Sequence, residues 1–363
     1  MFNIKMLPAG HGDCICVEYG DAESPHKVLI DGGPYYGFKP LSKLIDEMAS
    51  SSLTFELMVI THVDCDHIDG IVKLLGAQSA NLVVKDVWFN AYHHLSEQPK
   101  DILGPVEGEM LSALIKKNRL SWNKAFEGNS VSIPNSADLN CIALAGGLKL
   151  TLLSPTKTQL TELEPFWATE VRNAGLDPDS PEVALELLQE DKRLKPKDLL
   201  GEEAIDVESL AEEEFEQETS KTNASSIAFL AEYQGKSCLF AGDAHPDVLN
   251  ASLRSLLAQR GGRKLKLDAV KLSHHGSKCN TSPQLLRLLD CKRFLISSNG
   301  NFFHHPDRET VARIINESGP DIELFFNYRS DENKIWSNNY LQNHYRYKAH
   351  YPQPGQEGLT VLV

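Results

Sequence analysis

Four side chains that often bind metal ions crowd into six consecutive positions: His62, Asp64, Asp66 and His67. Two carboxylates and two imidazoles so close together repel one another or need partners unless a cation neutralises the carboxylates. The spacing therefore predicts a divalent metal site. A polar turn at the start of a solvated helix is the alternative explanation for the motif taken alone.

Acidic and histidine residues recur at the ends of other predicted strands. Loops at one edge of a rigid scaffold often carry the chemistry of an enzyme. The recurrence therefore predicts a single polar site along one edge of packed sheets. The residues concerned are Asp13, Asp31, Asp243, His274, His275 and His305.

Strand and helix patterns alternate around these residues. The apolar run 57–60 predicts a buried strand that leads into the first motif, and the apolar spacing after it predicts a helix. The loop histidines His93 and His94 are weaker candidates for additional ligands. The aromatic and basic residues of 340–351 fit either a half-buried strand, which we favour, or a surface that stacks nucleic-acid bases. Other predicted strands and helices include strands at 2–7, 14–19, 27–30, 83–90, 148–153, 225–233 and 237–240, and helices at 39–50, 106–118, 207–217, 246–259 and 307–317.

The composition is that of an ordinary globular protein. The chain has 363 residues, of which 41% are hydrophobic and 24% charged. It contains no apolar run long enough to span a bilayer and no secretory leader, so we expect a cytoplasmic protein without a membrane partner. Its seven cysteines are odd in number and scattered, which argues against a disulfide framework or a cysteine-type zinc site.

Most of the net charge of −14 belongs to one segment. Residues 156–220 contain 19 acidic and 6 basic side chains, so the rest of the chain is close to neutral. A helix start at Ser180–Glu182 and a Glu-rich stretch at 207–217 predict that the segment is helical. It could be a solvated cap, a lid beside the active site or a surface that docks a protein partner. The rest of the chain is close to neutral, and a neutral surface suits a short single strand of nucleic acid or a small nucleotide better than a long duplex.

Three motifs together resemble those of metallo-β-lactamase-fold hydrolases. They are His62-x-Asp64-x-Asp66-His67, Phe240-Ala241-Gly242-Asp243 and His274-His275-Gly276-Ser277. The chain looks most similar to the branch that includes the hydrolase domain of ComEC-type DNA-uptake proteins, in which the second motif position is Asp. The resemblance implies an α/β fold, an αββα sandwich. Its hydrolase domain would comprise 1–155 and 221–363, with 156–220 as an acidic helical insertion.

The same resemblance implies one or two divalent metal ions, zinc or manganese, with magnesium as a further option. Asp243 would bridge the two ions. Whether His274 or His275 is a ligand stays open, although the resemblance favours His274. The first ion would be held by Asp66, His67 and His274, and the second by His62 and Asp64.

The remaining candidates would act beside the ions. Asp13 and Asp31 would hold imidazole N–H groups or water behind the ligands. His275 and His305 would face the substrate, as a phosphate contact or as an acid to the leaving group.

One position departs from the pattern of the superfamily. Many members supply a third histidine, often as Gly-His-Thr, where this chain reads Lys221-Thr222-Asn223-Ala224-Ser225. Fewer nitrogen ligands make the His62 and Asp64 site oxygen-rich, which favours manganese or magnesium there over zinc. Asn223 could reach the metal or the substrate, or simply cap the loop.

The resemblance implies a phosphodiesterase or nuclease that acts on DNA, RNA or a signalling nucleotide through a metal-activated hydroxide. The alternative is an interaction component of a multi-protein system, such as a bacterial defence operon, with weak or lost catalysis. The intact Asp66, His67, Asp243 and His274 argue against lost catalysis. A lactamase or thioester hydrolase is disfavoured because the Gly-His-Thr element is missing.

Overall fold

The computed structural model describes residues 1–48, 53–77, 82–95, 106–134, 139–173 and 205–363. The predicted helix start at Ser180–Glu182 lies outside these ranges. The strands are β1 (Phe2–Met6), β2 (Ile15–Gly20), β3 (Pro25–Ile30), β4 (Leu53–Phe55), β5 (Leu57–Val59), β6 (Leu82–Val84), β7 (Val87–Trp88), β8 (Cys141–Ala143), β9 (Lys149–Ser154), β10 (Ala228–Tyr233), β11 (Lys236–Phe240), β12 (Leu265–Lys266), β13 (Ala269–Lys271), β14 (Leu289–Asp290), β15 (Arg293–Ile296), β16 (Ile322–Phe326), β17 (Tyr347–His350) and β18 (Leu359–Leu362). The described α-helices are α1 (Phe38–Met48), α2 (Cys65–Gly76), α3 (Val106–Lys117), α4 (Lys157–Asn173), α5 (Val207–Glu212), α6 (Lys221–Ala224), α7 (Pro246–Arg260), α8 (Pro283–Arg287), α9 (Arg308–Ser318) and α10 (Asn339–Tyr345).

Two large sheets organise the described chain. The first has the strand order β18-β1-β2-β3-β5-β7, and the second has the order β17-β16-β15-β13-β11-β10-β9-β8. Strands β3, β5 and β7 run parallel in the first sheet, and β11, β13, β15, β16 and β17 run parallel in the second. The carboxyl ends of parallel strands meet at one edge of a sheet, so each sheet gathers its strand-end loops there.

Three layers of buried apolar side chains hold the sheets and helices together. The layer between the sheets includes Val17 of the first sheet and Phe229 of the second. Helices α1 to α4 pack on the outer face of the first sheet, and α5 and α7 to α10 on the outer face of the second. This is the predicted αββα sandwich, the architecture of the metallo-β-lactamase fold, and the fold prediction is confirmed.

Both described ends of the acidic segment pack onto the sandwich. Trp167 of α4 is fully buried in the outer layer of the first sheet. Val207 of α5 is buried in the outer layer of the second sheet, against α9. The segment is helical at both of these ends, and its central residues 174–204 lie outside the described ranges.

Some predicted elements differ from the observed ones. The single strand predicted over 83–90 is divided into β6 and β7, because Asp86 between them accepts the backbone N–H groups of Lys124 and Ala125. The strand favoured over 340–351 is wrong in its first half, which is helix α10. Asn338 caps that helix by accepting the backbone N–H groups of its first turn, so local capping overrides the alternating pattern.

Helix α2 approaches the loop after β3 so closely that a side chain would not fit between them. A Cβ atom built on Gly70 would lie 1.9 Å from the carbonyl oxygen of Gly32. We expect Gly70→Ala to lower the free energy of unfolding by about 1–3 kcal/mol, because α2 must move away from the loop. Urea denaturation measures this change.

Gly76 of the same helix is the matched control, since a Cβ atom there would meet open space. We expect Gly76→Ala to leave stability unchanged or to raise it by less than about 1 kcal/mol through its better helix propensity. Equal effects of the two substitutions would show that the close contact is unimportant.

Candidate metal centre and adjoining cleft

The junction between β5 and α2 positions the first motif. His62 follows the end of β5, Asp64 has the extended backbone of the residue that precedes a helix, and Asp66 lies in the first turn of α2. The N-terminus of a helix favours negative charge because its backbone N–H groups are unpaired. The strand end and the helix start thus bring both carboxylates and both imidazoles to the same edge of the first sheet.

Loops after β11 and β13 bring residues of the second sheet to the same place. Asp243 follows β11, and its backbone N–H donates to the hydroxyl of Ser226. His274 and His275 both have left-handed backbone conformations, with φ of 46° and 53°. Two such non-glycine residues in succession cost about 1–3 kcal/mol each, and strain of this kind is concentrated at functional sites. Their Nε2 atoms lie 3.8 and 3.9 Å from Asp243 Oδ2.

Four of these side chains form a compact donor group. His67 Nε2 lies 3.2 Å from His275 Nε2, 3.4 Å from Asp243 Oδ2 and 3.8 Å from Asp66 Oδ2. His275 Nε2 lies 3.3 Å from Asp66 Oδ2. Ligands at 2.0–2.2 Å from a tetrahedral ion are about 3.4 Å apart, so the spacing suits one divalent ion.

The histidine of this group differs from the one that the resemblance favoured. His275, which was expected to face the substrate, lies with Asp66 and His67. His274 Nε2 lies 3.8 Å from Asp243 Oδ2, about as near as His275 Nε2, and its Nδ1 faces Glu218 and Asn280, so His274 stays a candidate ligand beside His275. The left-handed conformation of both residues sets these directions, and no pattern in the sequence reports it.

The ring nitrogens give a separate indication that a cation belongs here. His67 Nδ1 lies 2.8 Å from Asp31 Oδ2, and His275 Nδ1 lies 2.9 Å from the carbonyl oxygen of Ser297. Both Nδ1 atoms therefore carry the proton in a neutral ring, which leaves lone pairs on the two Nε2 atoms. These lone pairs face each other at 3.2 Å and repel unless positive charge lies between them.

A second donor group shares Asp243. His62 Nε2 lies 3.4 Å from Asp64 Oδ2 and 3.8 Å from Asp243 Oδ2. His62 Nε2 and Asp243 Oδ1 are buried without a hydrogen-bond partner, which is costly unless a ligand satisfies them. Asp64 also accepts a hydrogen bond from the hydroxyl of Thr222. The residues present thus fit a second divalent ion.

The cluster strongly stabilises positive charge. Burial raises the pKa of the Asp66 carboxyl, but the imidazoles of His67 and His275 hold it well below its usual range. Burial lowers the pKa of His67, and Asp243 and Asp66 raise it well above its usual value. Burial also lowers the pKa of His275, but the Asp13 and Asp243 carboxylates outweigh burial and raise that pKa to about 9. The carboxylates therefore favour a cation at their centre, whether a proton or a metal ion.

Asp31 and Asp13 lie on the Nδ1 side of the imidazoles of His67 and His275. Asp31 accepts from the backbone and the hydroxyl of Thr61 and from the ring of His67. Asp13 Oδ1 lies 3.6 Å from His275 Nδ1, and its Oδ2 accepts from the buried ammonium group of Lys271. Sequence reasoning missed Lys271. A lysine inside the apolar run of a central strand was the available signal.

Replacing Asp31 with asparagine should weaken metal binding about 10- to 100-fold, because the ring of His67 loses the carboxylate that fixes its tautomer and direction. Calorimetric titration with Mn²⁺ measures the affinity. Asp321→Asn is the matched control, since Asp31 and Asp321 share a left-handed backbone, with φ of 57° and 64°. Equal affinities of wild type and Asp31→Asn would contradict the orienting role.

The residues just before and within α6 also contribute to the site. Glu218, a residue of the acidic segment that sequence reasoning missed, lies 3.1 Å from His274 Nδ1. The pKa of Glu218 falls to about 2 through its hydrogen bond with His274, although burial opposes this. Asn223 Nδ2 donates to Glu218 Oε2, and its Oδ1 is buried without a hydrogen-bond partner. Asn223 thus supports His274 from within a short helix.

The other histidines that the sequence singled out lie in two places. The ring of His305 lies 5.2 Å from that of His274, and its Nδ1 is 3.4 Å from Asp307 Oδ2, which places His305 at the rim of the cluster. His93 and His94 pack against Trp122 and line a different cavity.

A cleft of about 1150 Å³ opens beside the cluster. Asp64 and Asp66 form part of its wall, so the cleft reaches both donor groups. Seven of the other lining residues have aromatic rings. The lining residues include His11, Tyr35, Tyr36, Phe38, Phe166, Phe302 and Phe303.

Comparisons with known proteins give weak similarities. No protein-family model and no curated protein matches the chain. Among solved structures it is similar to Zn²⁺-bound PqqB from Methylobacterium extorquens, at 12% identity and a TM-score of 0.41, with 100% of each chain covered. It is also similar to YhfI from Bacillus subtilis, described as a metallo-beta-lactamase fold protein, at 10% identity and a TM-score of 0.38, with 99% of each chain covered.

A mutant of the CmlA beta-hydroxylase is similar at 11% identity and a TM-score of 0.37, over 99% of this chain and 54% of that one. The present chain thus spans about half the length of CmlA. The fold follows from the two sheets and their helix layers themselves. No helix within the described ranges is long and apolar enough to cross a membrane.

Proposed function

We propose that this chain is a metal-dependent phosphodiesterase or nuclease that acts on nucleic acid or on a signalling nucleotide. The observation that carries the proposal is the pair of facing Nε2 atoms of His67 and His275, 3.2 Å apart and flanked by Asp66 and Asp243. Two neutral rings would repel each other in this arrangement, and a divalent ion between the nitrogens relieves that repulsion as a proton does.

The shared Asp243 supports a two-ion centre. A pair of ions held by a common carboxylate suits in-line displacement at phosphorus, and when bound the ions act as Lewis acids that stabilise charge on the attacking and leaving oxygens. The chain's own residues orient the centre: Asp31 fixes His67, and the Ser297 carbonyl fixes His275. His305, whose ring lies 5.2 Å from that of His274, would contact the substrate phosphate.

The proposal includes the identity of the ions. The His62 and Asp64 group offers one imidazole and two carboxylates when the shared Asp243 is counted. Oxygen-rich sites favour manganese or magnesium over zinc. The proposal also includes the relationship to ComEC-type hydrolase domains, and a cytoplasmic location. Docking of a protein partner on residues 156–220 is the alternative role, in which catalysis is weak or lost.

Metal analysis combined with a panel of phosphodiesters tests the proposal. We expect wild type to contain divalent metal and to hydrolyse at least one member of a panel of dinucleotides, cyclic nucleotides and single-stranded DNA and RNA. Asp66→Ala should lose both properties. Asp247→Ala is the matched control, because Asp247 is an exposed acid in the first turn of a helix, as Asp66 is a buried one. Equal hydrolysis by wild type and Asp66→Ala, or no metal in either, would refute the catalytic role.

A further inference from the structure

Exposed aromatic side chains are concentrated in the cleft beside the metal centre. Among the described residues, eight large hydrophobic side chains are substantially exposed, and five of them line this one cleft. Single exposed hydrophobic residues are ordinary, but a contiguous exposed patch marks a binding site. The five are Tyr35, Tyr36, Phe166, Phe302 and Phe303.

The rings on one side of the cleft form a continuous row that leads to the metal centre. His11 lies between Tyr36 and Phe302, with ring centroids 5.8 and 4.9 Å away, and its ring is stacked on that of Phe302. Phe302 and Phe303 are 4.6 Å apart. Phe303 in turn lies 6.1 Å from His305, at the rim of the donor cluster. A planar group stacked on this row would therefore lie next to the ions.

The charges that line the cleft limit the size of a polyanionic ligand. Five carboxylates and two lysines contribute to its wall. Two of the carboxylates, Asp64 and Asp66, would be neutralised by the ions, but the rest disfavour a long run of phosphates. A duplex carries one negative charge per about 1.7 Å and needs a basic surface, which this cleft does not offer.

The side chains of the wall also favour a flat aromatic ligand over an aliphatic one. Exposed rings offer π-faces, on which nucleic-acid bases stack without regard to their sequence. Lys73 adds a cation 3.9 Å from the centroid of the Tyr35 ring, which helps to hold that ring in place. Aliphatic side chains, which would suit an acyl group, contribute little of the lining.

We infer that the aromatic cleft stacks a nucleobase of a short single-stranded or small nucleotide substrate and so presents the adjoining phosphate to the metal centre. The inference deepens the proposed function and rests on it for the position of the phosphate. Phe302 and Phe303 provide the stacking surface for the base, because Phe303 lies next to His305 at the rim of the donor cluster and Phe302 lies against Phe303.

Calorimetric titration of the full-length, Mn²⁺-loaded protein with adenosine 5′-monophosphate and with ribose 5-phosphate tests the inference. The two probes share sugar and phosphate, so their difference isolates the base. We expect the adenosine probe to bind roughly tenfold more tightly or better, and Phe302→Leu to reduce that preference by about tenfold, as loss of one stacking contact would. Tyr340→Leu, at an aromatic side chain that is 71% exposed and outside the cleft, should preserve the preference.

Equal affinities for the two probes, no measurable binding of either, or an equal loss for both in Phe302→Leu would overturn the inference. The proposed function fails independently. A base preference in a protein that cleaves no phosphodiester would refute the enzyme but retain the base site. Cleavage without a base preference would retain the enzyme and refute the base site.

Discussion

Replacing Asp243 with asparagine is expected to lower phosphodiester hydrolysis roughly 10³-fold or more, because both proposed ions lose their common ligand. Its Oδ2 lies between 3.4 and 3.9 Å from the Nε2 atoms of four histidines. Asparagine has nearly the same shape, so the change removes charge and one acceptor with little disturbance of packing. Initial rates at saturating Mn²⁺, together with the metal content of the purified variant, give the result.

Asp268→Asn is a suitable control for that substitution. Asp268 lies at the opposite end of the second sheet, just before β13, and accepts a backbone hydrogen bond from Ser237. Its replacement also removes a carboxylate from a sheet loop, yet it should leave metal content and rate unchanged. A fully active, metal-loaded Asp243→Asn protein would remove Asp243 from the proposed mechanism.

Removal of the Asp13 carboxylate should lower the free energy of unfolding by about 3–5 kcal/mol, the usual cost of leaving one buried charge without its partner. The Lys271 ammonium lies 2.7 Å from Asp13 Oδ2, and both side chains are almost fully buried, at 1% and 3% exposure. The Lys271 ammonium also donates a hydrogen bond to the carbonyl oxygen of Leu272. Urea denaturation of Asp13→Ala in the presence of a chelator measures the loss without a contribution from bound metal.

Two further variants show whether the loss comes from the unpaired charge. The double variant Asp13→Leu/Lys271→Met removes both charges and should recover most of the stability, since apolar replacements of a buried pair are often neutral. Asp321→Asn breaks an exposed ion pair with Arg346 but keeps a side chain that tolerates the left-handed backbone there, so it should cost less than about 1 kcal/mol. If Asp13→Ala were no more costly than Asp321→Asn, the buried pair would have no structural importance.

The same pair predicts an acid-dependent loss of stability. Burial raises the pKa of Asp13, but the charge of Lys271 outweighs it and holds the pKa below its usual range in the folded state. The stabilisation is therefore present above the unfolded pKa of about 3.9 and is lost as pH falls toward the folded value. Unfolding measured between pH 6 and pH 2 should show a smaller decline for the double variant than for wild type. Parallel declines would contradict this assignment.

The local patterns of the chain were sufficient for the architecture. The apolar run 57–60, the helical spacing after it and the repeated acidic strand ends predicted β5, α2 and the edge at which the donors meet. These features depend on hydrophobic periodicity and on the geometry of strand ends, both of which are visible in a single sequence. The layers of the sandwich then confirmed the fold.

The finer geometry of the site could not be read in the same way. His275 Nε2 lies beside Asp66 and His67 and His274 Nε2 beside Asp243, because both residues adopt the left-handed conformation, which the sequence does not report. Glu218 reaches His274 from the end of the acidic segment, where the charge pattern predicted a solvated cap, a lid or a docking surface but no particular residue in the site. Contacts between residues far apart in the sequence thus determine which groups each ring nitrogen faces.

An anomalous difference map of crystals grown with Mn²⁺ tests the central claim most directly. The structure predicts a peak at about 2.0–2.2 Å from Asp66 Oδ2, His67 Nε2, His275 Nε2 and an oxygen of Asp243, the distances expected for such ligands. A second, weaker peak beside His62 and Asp64 would mark the other ion. Absence of a peak among the first four atoms, with His67 and His275 still facing each other, would contradict the proposed metal centre.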